Sequence, residues 1–286
     1  MIKTIGIIAL SGACDKEKIE NAKTFLESEG FCVKLSKNIF DKDRYLAGSD
    51  KDKLEALYSF FEDPEIDLIL NARGGYGAIR LINKIDYEII KNNPKPFIGF
   101  SDITALLLMF YKKCGLVTYH GPMACSDFGN HPTPTLPIQG GSTWDAFFRA
   151  LSGECLEFVG NKIYHQGDVK GIIWGGNLAT VVSLCGLDFI PDEDFIFFAE
   201  DLNEPVYKID KMFQQLFNME KFQKHCKGIV LGDFLDVDNE TWLDEYFKTL
   251  PVPAVSGFKI THNQEKVTIP IGKNALLRDN VLRIDG

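Results

Sequence analysis

The feature that most constrains this chain is an alternation, through its first 120 residues, of short β-branched apolar runs with runs of helical period. Residues 3–10, 31–35, 66–70, 97–100 and 116–119 read as strands, and residues 16–29, 54–61 and 103–113 read as helices. In 16–29 the apolar positions Ile19, Ala22, Phe25 and Leu26 recur at helical spacing, and Gly30 stops the run. Strands separated by helices of this length imply right-handed βαβ crossovers, and therefore an α/β fold with a parallel sheet.

The alternation breaks at 126–143, a stretch rich in Pro and Gly that reads either as a lid or as the approach to a domain boundary. A short helix is expected at 144–151 and extended linker with β character at 156–166. The second half is richer in strands, expected at 169–174, 195–199, 228–231, 254–260, 267–269, 275–277 and 281–284, with helices at 178–185, 207–219 and 241–248. A length of 286 residues suits about two domains. The expected division is an N-terminal domain over 1–152, a linker over 153–168 and a C-terminal domain over 169–286. No internal repeat or low-complexity tract is present.

Composition excludes several classes of function. Hydrophobic residues at 45% and charged residues at 25% are ordinary globular values. A net charge of −9 argues against nucleic acid or an anionic membrane as partner. No apolar run approaches the ~18 residues that span a bilayer, and the apolar run at 5–10 is too short for a secretory signal. The seven cysteines include no C-x-x-C pair, which reads as reduced, mostly buried thiols in the cytoplasm. Neither a disulfide framework nor a zinc site is expected.

Ligands of open parallel sheets bind beyond the carboxyl ends of the strands, so reactive residues there are the candidates. In Gly99-Phe100-Ser101-Asp102 a strand runs directly into a helix, the layout of a nucleophile elbow, although Ile103 stands where α/β-hydrolases carry a second glycine. Ser101 is thus either a nucleophile at a helix N-terminus or a simple N-cap. Arg73-Gly74-Gly75-Tyr76-Gly77 follows a strand, and its glycines let backbone N–H groups approach an anion; a tight turn explains them equally well. Glu200-Asp201 ends a run of five apolar residues, placing a carboxylate at the tip of a buried strand, to orient a histidine or merely to end the strand. His262 lies between two expected strands, and His120, also just past a strand, competes with it. Together these are the parts of a serine hydrolase.

The same segments resemble the LD-carboxypeptidases, serine peptidases that include muramoyltetrapeptide carboxypeptidases and microcin-C immunity peptidases. The likeness runs through Tyr45-Leu46-Ala47-Gly48-Ser49-Asp50, Arg73 to Gly77 with Arg80-Leu81, and Gly99 to Thr104. It continues through His120-Gly121-Pro122-Met123, Gly175-Gly176-Asn177-Leu178, Glu200-Asp201 with Glu204, Tyr207 and Asp210, and His262 to Gly272. Thr261 stands where the family often has Gly, and Lys211 where Arg is common.

The resemblance implies a Rossmann-like parallel-sheet N-terminal domain and a smaller β-rich α/β C-terminal domain. By it, Ser101 is the nucleophile, His262 the general base and Glu200 the orienting acid, with an oxyanion hole from the backbone N–H groups of Gly75 and Asp102. The nucleophile then comes from the first domain, and the acid and base from the second. The implied activity is release of a C-terminal D-amino acid from an L–D peptide, with murein tetrapeptides as substrate class and no cofactor or metal. The implied protein is a cytoplasmic homodimer. Arg73 and Arg80 either hold the substrate's carboxylate or serve the structure, Gly74 is a candidate substrate contact, and Trp174 beside Gly175-Gly176 either lines the cleft or packs there. The alternative within the family is cleavage of an aminoacyl-nucleotide. Outside it stand a non-catalytic phosphate- or nucleotide-binding module and an α/β-hydrolase esterase.

Overall fold

A computed structural model describes residues 2–129 and 141–286. The chain divides into two units, Met1–Trp144 and Asp145–Gly286.

Unit 1 runs β1 (Thr4–Ile8), α1 (Lys16–Ser28), β2 (Cys32–Leu35), α2 (Asp50–Glu62), β3 (Leu68–Asn71), α3 (Tyr87–Asn92), β4 (Phe97–Gly99), α4 (Thr104–Cys114) and β5 (Thr118–His120). These five strands lie in the order β5-β4-β3-β1-β2, and every pairing is parallel. β3 and β4 are buried throughout, so they read as continuous apolar runs without alternation. Local chemistry sets the helix ends. Asp15 accepts from the Lys18 amide to start α1, Ser49 and Asp52 form a reciprocal capping box on α2, and Gly115 ends α4 at φ +65°. The Ser49 cap starts α2 four residues before the expected 54. The short α3 has little apolar periodicity and is absent from the sequence reading.

α5 (Gly141–Ser152) contains the division point. Unit 2 continues with β6 (Leu156–Val159), β7 (Lys162–His165), β8 (Val169–Asn177), α6 (Leu178–Ser183), β9 (Phe195–Leu202), α7 (Val206–Phe217), α8 (Glu220–His225), β10 (Cys226–Leu235), α9 (Glu240–Phe247), β11 (Ala254–Ser256), β12 (Ile269–Ile271), β13 (Asn274–Arg278) and β14 (Val281–Ile284). Eight of these strands form one mixed sheet in the order β6-β14-β13-β8-β9-β10-β11-β7. Its centre, β8-β9-β10-β11, is parallel, and antiparallel strands flank it.

Residues 153–168, expected as a linker, carry two strands of this sheet: β6 pairs with β14 and β7 with β11. Their strand character reads in the sequence as an extended segment, because pairing partners 89 to 128 positions away leave no local mark. Conversely, the expected strand 254–260 stops at Ser256, and residues 257–268 form a loop. Of the thiols, Cys125 and Cys226 are buried while Cys32 and Cys155 are exposed, so "mostly buried" overstates their burial. The segment 126–143 opens with a π-turn at Ala124–Phe128, and its residues 130–140 lie outside the described residues. Among the described residues, no helix is long and apolar enough to cross a membrane.

Candidate active site

In unit 1 the carboxyl ends of β1, β3 and β4 meet at one edge of the sheet, where register pairs Ile8 with Asn71 and Leu70 with Ile98. The loops that leave them carry Ser11, Arg73 to Gly77 and Ser101. Ser101 sits at φ +58° between β4 and a single 3-10 turn, Ser101–Ile103, that leads into α4. A left-handed backbone at a residue with a β-carbon costs about 1 kcal/mol or more, and surrounding contacts must hold it. The next residue supplies them. The buried Asp102 carboxylate accepts from Ser11 Oγ at 2.5 Å and from the Ala78 amide at 2.8 Å through the same oxygen, Oδ2. Burial raises the Asp102 carboxyl above the ordinary carboxylate range, and these bonds act against that rise. One side chain therefore ties the elbow to the turn after β1 and to the end of the glycine loop.

The glycine loop lies directly against the elbow. A β-carbon built on Gly74 would stand 2.8 Å from Ser101 Cβ and 2.9 Å from Ser101 Oγ, so only glycine fits there. Gly75, at φ +106°, follows, and the Gly12 amide donates to the Gly74 carbonyl at 3.1 Å. At the tip of β3, buried Asn71 donates to the Ile98 carbonyl at 2.8 Å, which fastens β3 to β4 just below the elbow.

The two arginines separate. Arg80 makes a two-pronged contact with Asp50, at 2.9 and 3.0 Å, and Lys84 shares that carboxylate at 2.5 Å. Behind them the fully buried Lys53 ammonium lies 3.5 Å from Asp50 Oδ1, and burial lowers its pKa. Arg80 is thus committed to a structural cluster. Arg73 instead donates one N–H to the Ala13 carbonyl at 3.1 Å and faces a cavity alongside Gly75.

In unit 2, Glu200 lies on β9 with no exposed surface, and its Oε2 stands 2.6 Å from His262 Nδ1. The other carboxylate oxygen, Oε1, is buried with no hydrogen-bond partner among the described residues. The neighbouring acid has a different task. Asp201 accepts from Asn177 Nδ2, the Ala179 amide and the Leu202 amide at 2.8–2.9 Å, joining β9 to the start of α6; burial pushes its carboxyl up to about 6. The loop that carries His262 is fixed at both ends. Ile260 donates its amide to Phe258 and accepts from Asp233, the Val267 amide reaches Lys259, and Thr261 Oγ1 accepts from the Asn263 amide at 3.0 Å. The Thr261 side chain therefore braces the turn that carries His262.

His120, the competing imidazole, is buried at the end of β5 with its ring 6.0 Å from that of Phe100. Trp174, for which the sequence leaves both a cleft and a packing role open, has no exposed surface. Its ring lies 5.8, 5.1 and 5.8 Å from those of Phe189, Phe195 and Phe197, so it belongs to the hydrophobic core of unit 2. Sequence reading missed Ser11, Asn71, Lys53 and Asp50. Ser11 and Asn71 carry a usable signal, since Asn71 ends β3 and Ser11 lies on the loop just beyond β1 of a parallel sheet. Lys53 carries none, because one lysine in a charged helix looks solvated until its neighbours are known.

Comparison with known proteins agrees with this architecture. Residues 5–121 match the LD-carboxypeptidase N-terminal domain, and residues 170–277 match the LD-carboxypeptidase C-terminal domain. A probable murein peptide carboxypeptidase of Bacillus subtilis (strain 168) is 34% identical over 284 residues, covering 96% of this chain and 88% of the relative. The microcin C7 self-immunity protein MccF of Escherichia coli is 29% identical, covering 97% of this chain and 91% of that protein. The crystal structure of muramoyltetrapeptide carboxypeptidase from Oxalobacter formigenes superposes with a TM-score of 0.88 at 26% identity, covering 99% of both chains. With both of its halves matched in order and a relative at this identity along almost its whole length, the chain belongs to the LD-carboxypeptidase family.

Proposed function

We propose that this protein is a serine carboxypeptidase that cleaves an L–D peptide bond and releases the C-terminal D-amino acid, D-Ala, from murein tetrapeptides in peptidoglycan recycling. The observation that carries the reading is the 2.6 Å contact between His262 Nδ1 and the fully buried Glu200, in a chain of this family. A neutral histidine that donates from Nδ1 to a carboxylate has its basic lone pair on Nε2, and the carboxylate stabilises the imidazolium when it forms. The strained backbone of Ser101 supports its assignment as nucleophile, because such conformations collect at reactive residues. In this reading, 1–152 is the domain of the nucleophile and 169–286 that of the acid and base. The active protein is a cytoplasmic homodimer, as the family resemblance implies.

The chemistry is acyl transfer. His262 Nε2 takes the proton of Ser101 Oγ as that oxygen bonds to the scissile carbonyl carbon. The resulting oxyanion accepts from the backbone N–H groups of Gly75 and Asp102, each such donor being worth roughly 3–4 kcal/mol in the transition state. Collapse breaks the C–N bond, and the departing amine of the D-amino acid takes the proton from Nε2. Water, deprotonated by the same nitrogen, then attacks the ester, frees the shortened peptide and restores Ser101. In this reading Arg73, which faces the cavity beside Gly75, pairs with the terminal carboxylate, whereas Arg80 is held by Asp50.

Ser101→Ala is expected to abolish D-Ala release from a murein tetrapeptide with an unchanged circular dichroism spectrum, and retained turnover would refute the assignment. No step uses a metal, so EDTA is expected to leave the rate unaltered. The likeness to MccF supports a second reading, cleavage of an aminoacyl-nucleotide. Mass spectrometry of a panel of LD-tetrapeptides and an aminoacyl-adenylate analogue separates the two.

A further inference from the structure

Two of the seven cysteines, far apart in sequence, meet in unit 1 outside the residues assigned to the chemistry. Cys14 lies on the loop after β1, one residue before the Asp15 cap of α1, and Cys125 lies in the π-turn Ala124–Phe128 after β5. That turn packs along α1. A β-carbon built on Gly129 would stand 2.5 Å from the Lys18 carbonyl oxygen, Asn21 Nδ2 donates to the Gly129 carbonyl at 3.2 Å, and the rings of Phe25 and Phe128 stack 5.6 Å apart. The packing brings the thiols together: the half-buried Cys14 donates its S–H to the buried Cys125 sulfur, which also accepts from the Asp15 amide. The bond from Cys14, joined by the Arg73 and Lys18 cations and the Asp15 amide, lowers the Cys125 thiol below its ordinary value. The same bond, together with burial, raises the Cys14 thiol. One sulfur is thus a nucleophile, and the other a protonated partner placed to resolve it. Both are tied to the start of the glycine loop. The Cys125 amide donates to the Ala72 carbonyl at 2.8 Å, and Arg73 donates to the Ala13 carbonyl at 3.1 Å.

We propose that Cys14 and Cys125 are an oxidative modification site: hydrogen peroxide converts the pair to a disulfide, which slows turnover by displacing Arg73 and the glycine loop. The slowing rests on the carboxypeptidase reading above; the disulfide itself does not. Peroxide reaches the buried sulfur past the half-buried Cys14. The Cys125 thiolate attacks one peroxide oxygen, the O–O bond breaks, and the departing hydroxide takes up a proton to become water. The sulfur is now a sulfenic acid. Cys14 attacks that sulfur, the S–S bond forms as the S–O bond breaks, and the hydroxyl leaves with the Cys14 proton as a second water. The pair of thiols has given up two electrons and two protons, and the peroxide has been reduced to water. A dithiol reductant restores both thiols by exchange. Bonding requires the sulfurs to close to about 2.05 Å, well inside hydrogen-bonding separation. Ala13, next to Cys14, holds Arg73, and the Cys125 amide holds Ala72, so the closure pulls on both ends of one short segment. A shift of about 1 Å at a substrate-positioning group costs up to about 10²-fold in rate.

The test treats reduced wild-type protein with hydrogen peroxide, alkylates the thiols that remain, and maps the peptides by mass spectrometry without reduction. The expected product is a Cys14–Cys125 cross-link lighter by two hydrogens, with the other cysteines alkylated, and reversed by dithiothreitol. Free thiols at both positions, sulfinic acid at Cys125 without a cross-link, or cross-links elsewhere only would overturn the site. On cross-linking, kcat/KM for D-Ala release from a murein tetrapeptide is expected to fall about tenfold or more and to recover with dithiothreitol. Cys14→Ser is expected to keep its full rate through the same treatment. A cross-link that leaves the rate unaltered, or an equal loss in Cys14→Ser, would overturn the link between the disulfide and turnover. Absence of D-Ala release by the reduced protein would count against the carboxypeptidase reading instead. The displacement is then judged by hydrogen exchange at the Gly12 and Ala13 amides, which donate to the Gly74 and Tyr45 carbonyls. Exchange faster by about tenfold in the cross-linked protein supports it, and unchanged exchange overturns it.

Discussion

Gly74 and Ser101 approach so closely that a β-carbon on the glycine would stand 2.9 Å from the serine Oγ. The backbone of the glycine loop is therefore one wall of the space in which that oxygen moves. Gly74→Ala must displace either the loop or the serine rotamer, and neither neighbour is the far end of a flexible side chain. The expected outcome is a loss of about 10²-fold or more in kcat, the scale of a lost oxyanion donor, with the sheet intact. Steady-state kinetics alongside circular dichroism checks this, and near-normal turnover would mean the loop does not border the reacting oxygen.

Glu200→Gln keeps the shape of the side chain but removes the charge that faces His262 across 2.6 Å. Orientation of the ring survives in part, while stabilisation of the imidazolium is lost. His262→Ala removes the base altogether. Single-turnover rates are therefore expected to fall further in His262→Ala than in Glu200→Gln. The reverse order would show that the acid does more than hold the ring.

Asp50 gathers Arg80, Lys84 and the buried Lys53, and the Arg80 guanidinium, foremost among these, holds its carboxyl well below the usual carboxylate range. A carboxyl whose pKa is depressed by folding stabilises the native state above its unfolded value near 4, and that contribution fades as the pH falls below it. Asp50→Asn is expected to cost about 2–4 kcal/mol at neutral pH, because it leaves Lys53 buried without its counter-charge. Urea denaturation at pH 7 and again near pH 3 should show the difference between wild type and variant shrinking at the lower pH.

Trp174 discriminates a core role from a cleft role. Surrounded by Phe189, Phe195 and Phe197, it is expected to lose about 3–5 kcal/mol on truncation to Ala and far less on replacement by Phe. KM of the Phe variant is expected to stay at the wild-type value. A raised KM with unchanged melting temperature would instead place the ring against substrate.

Much of unit 1 is legible without coordinates because its strands are short, buried on both faces and separated by helices whose apolar stripes are local. The elbow at Ser101, the acid near the end of β9 and His262 were all visible as residue types at expected strand ends, although His262 lies within the loop 257–268. Their roles came from the order of motifs along the chain, not from any one motif. Unit 2 was less legible where pairing is long-range. β6 and β7 look like linker until Ile284 and Ala254 are found beside them. Trp174 next to two glycines resembled a binding-site residue because a sequence records neighbours along the chain and not those across a sheet.

By itself, the amino-acid order determined the α/β class, the family and the chemical types available at the strand ends, since these depend on periodicity and local turn chemistry. Tertiary structure alone decided which similar residues part company: Glu200 faces an imidazole while Asp201 braces a helix start, and Arg73 borders a cavity while Arg80 closes on Asp50. Burial and partner distance separate such pairs, and both are properties of segments far apart in sequence. Desolvation then gives each group its charge preference, which no reading along the chain can supply.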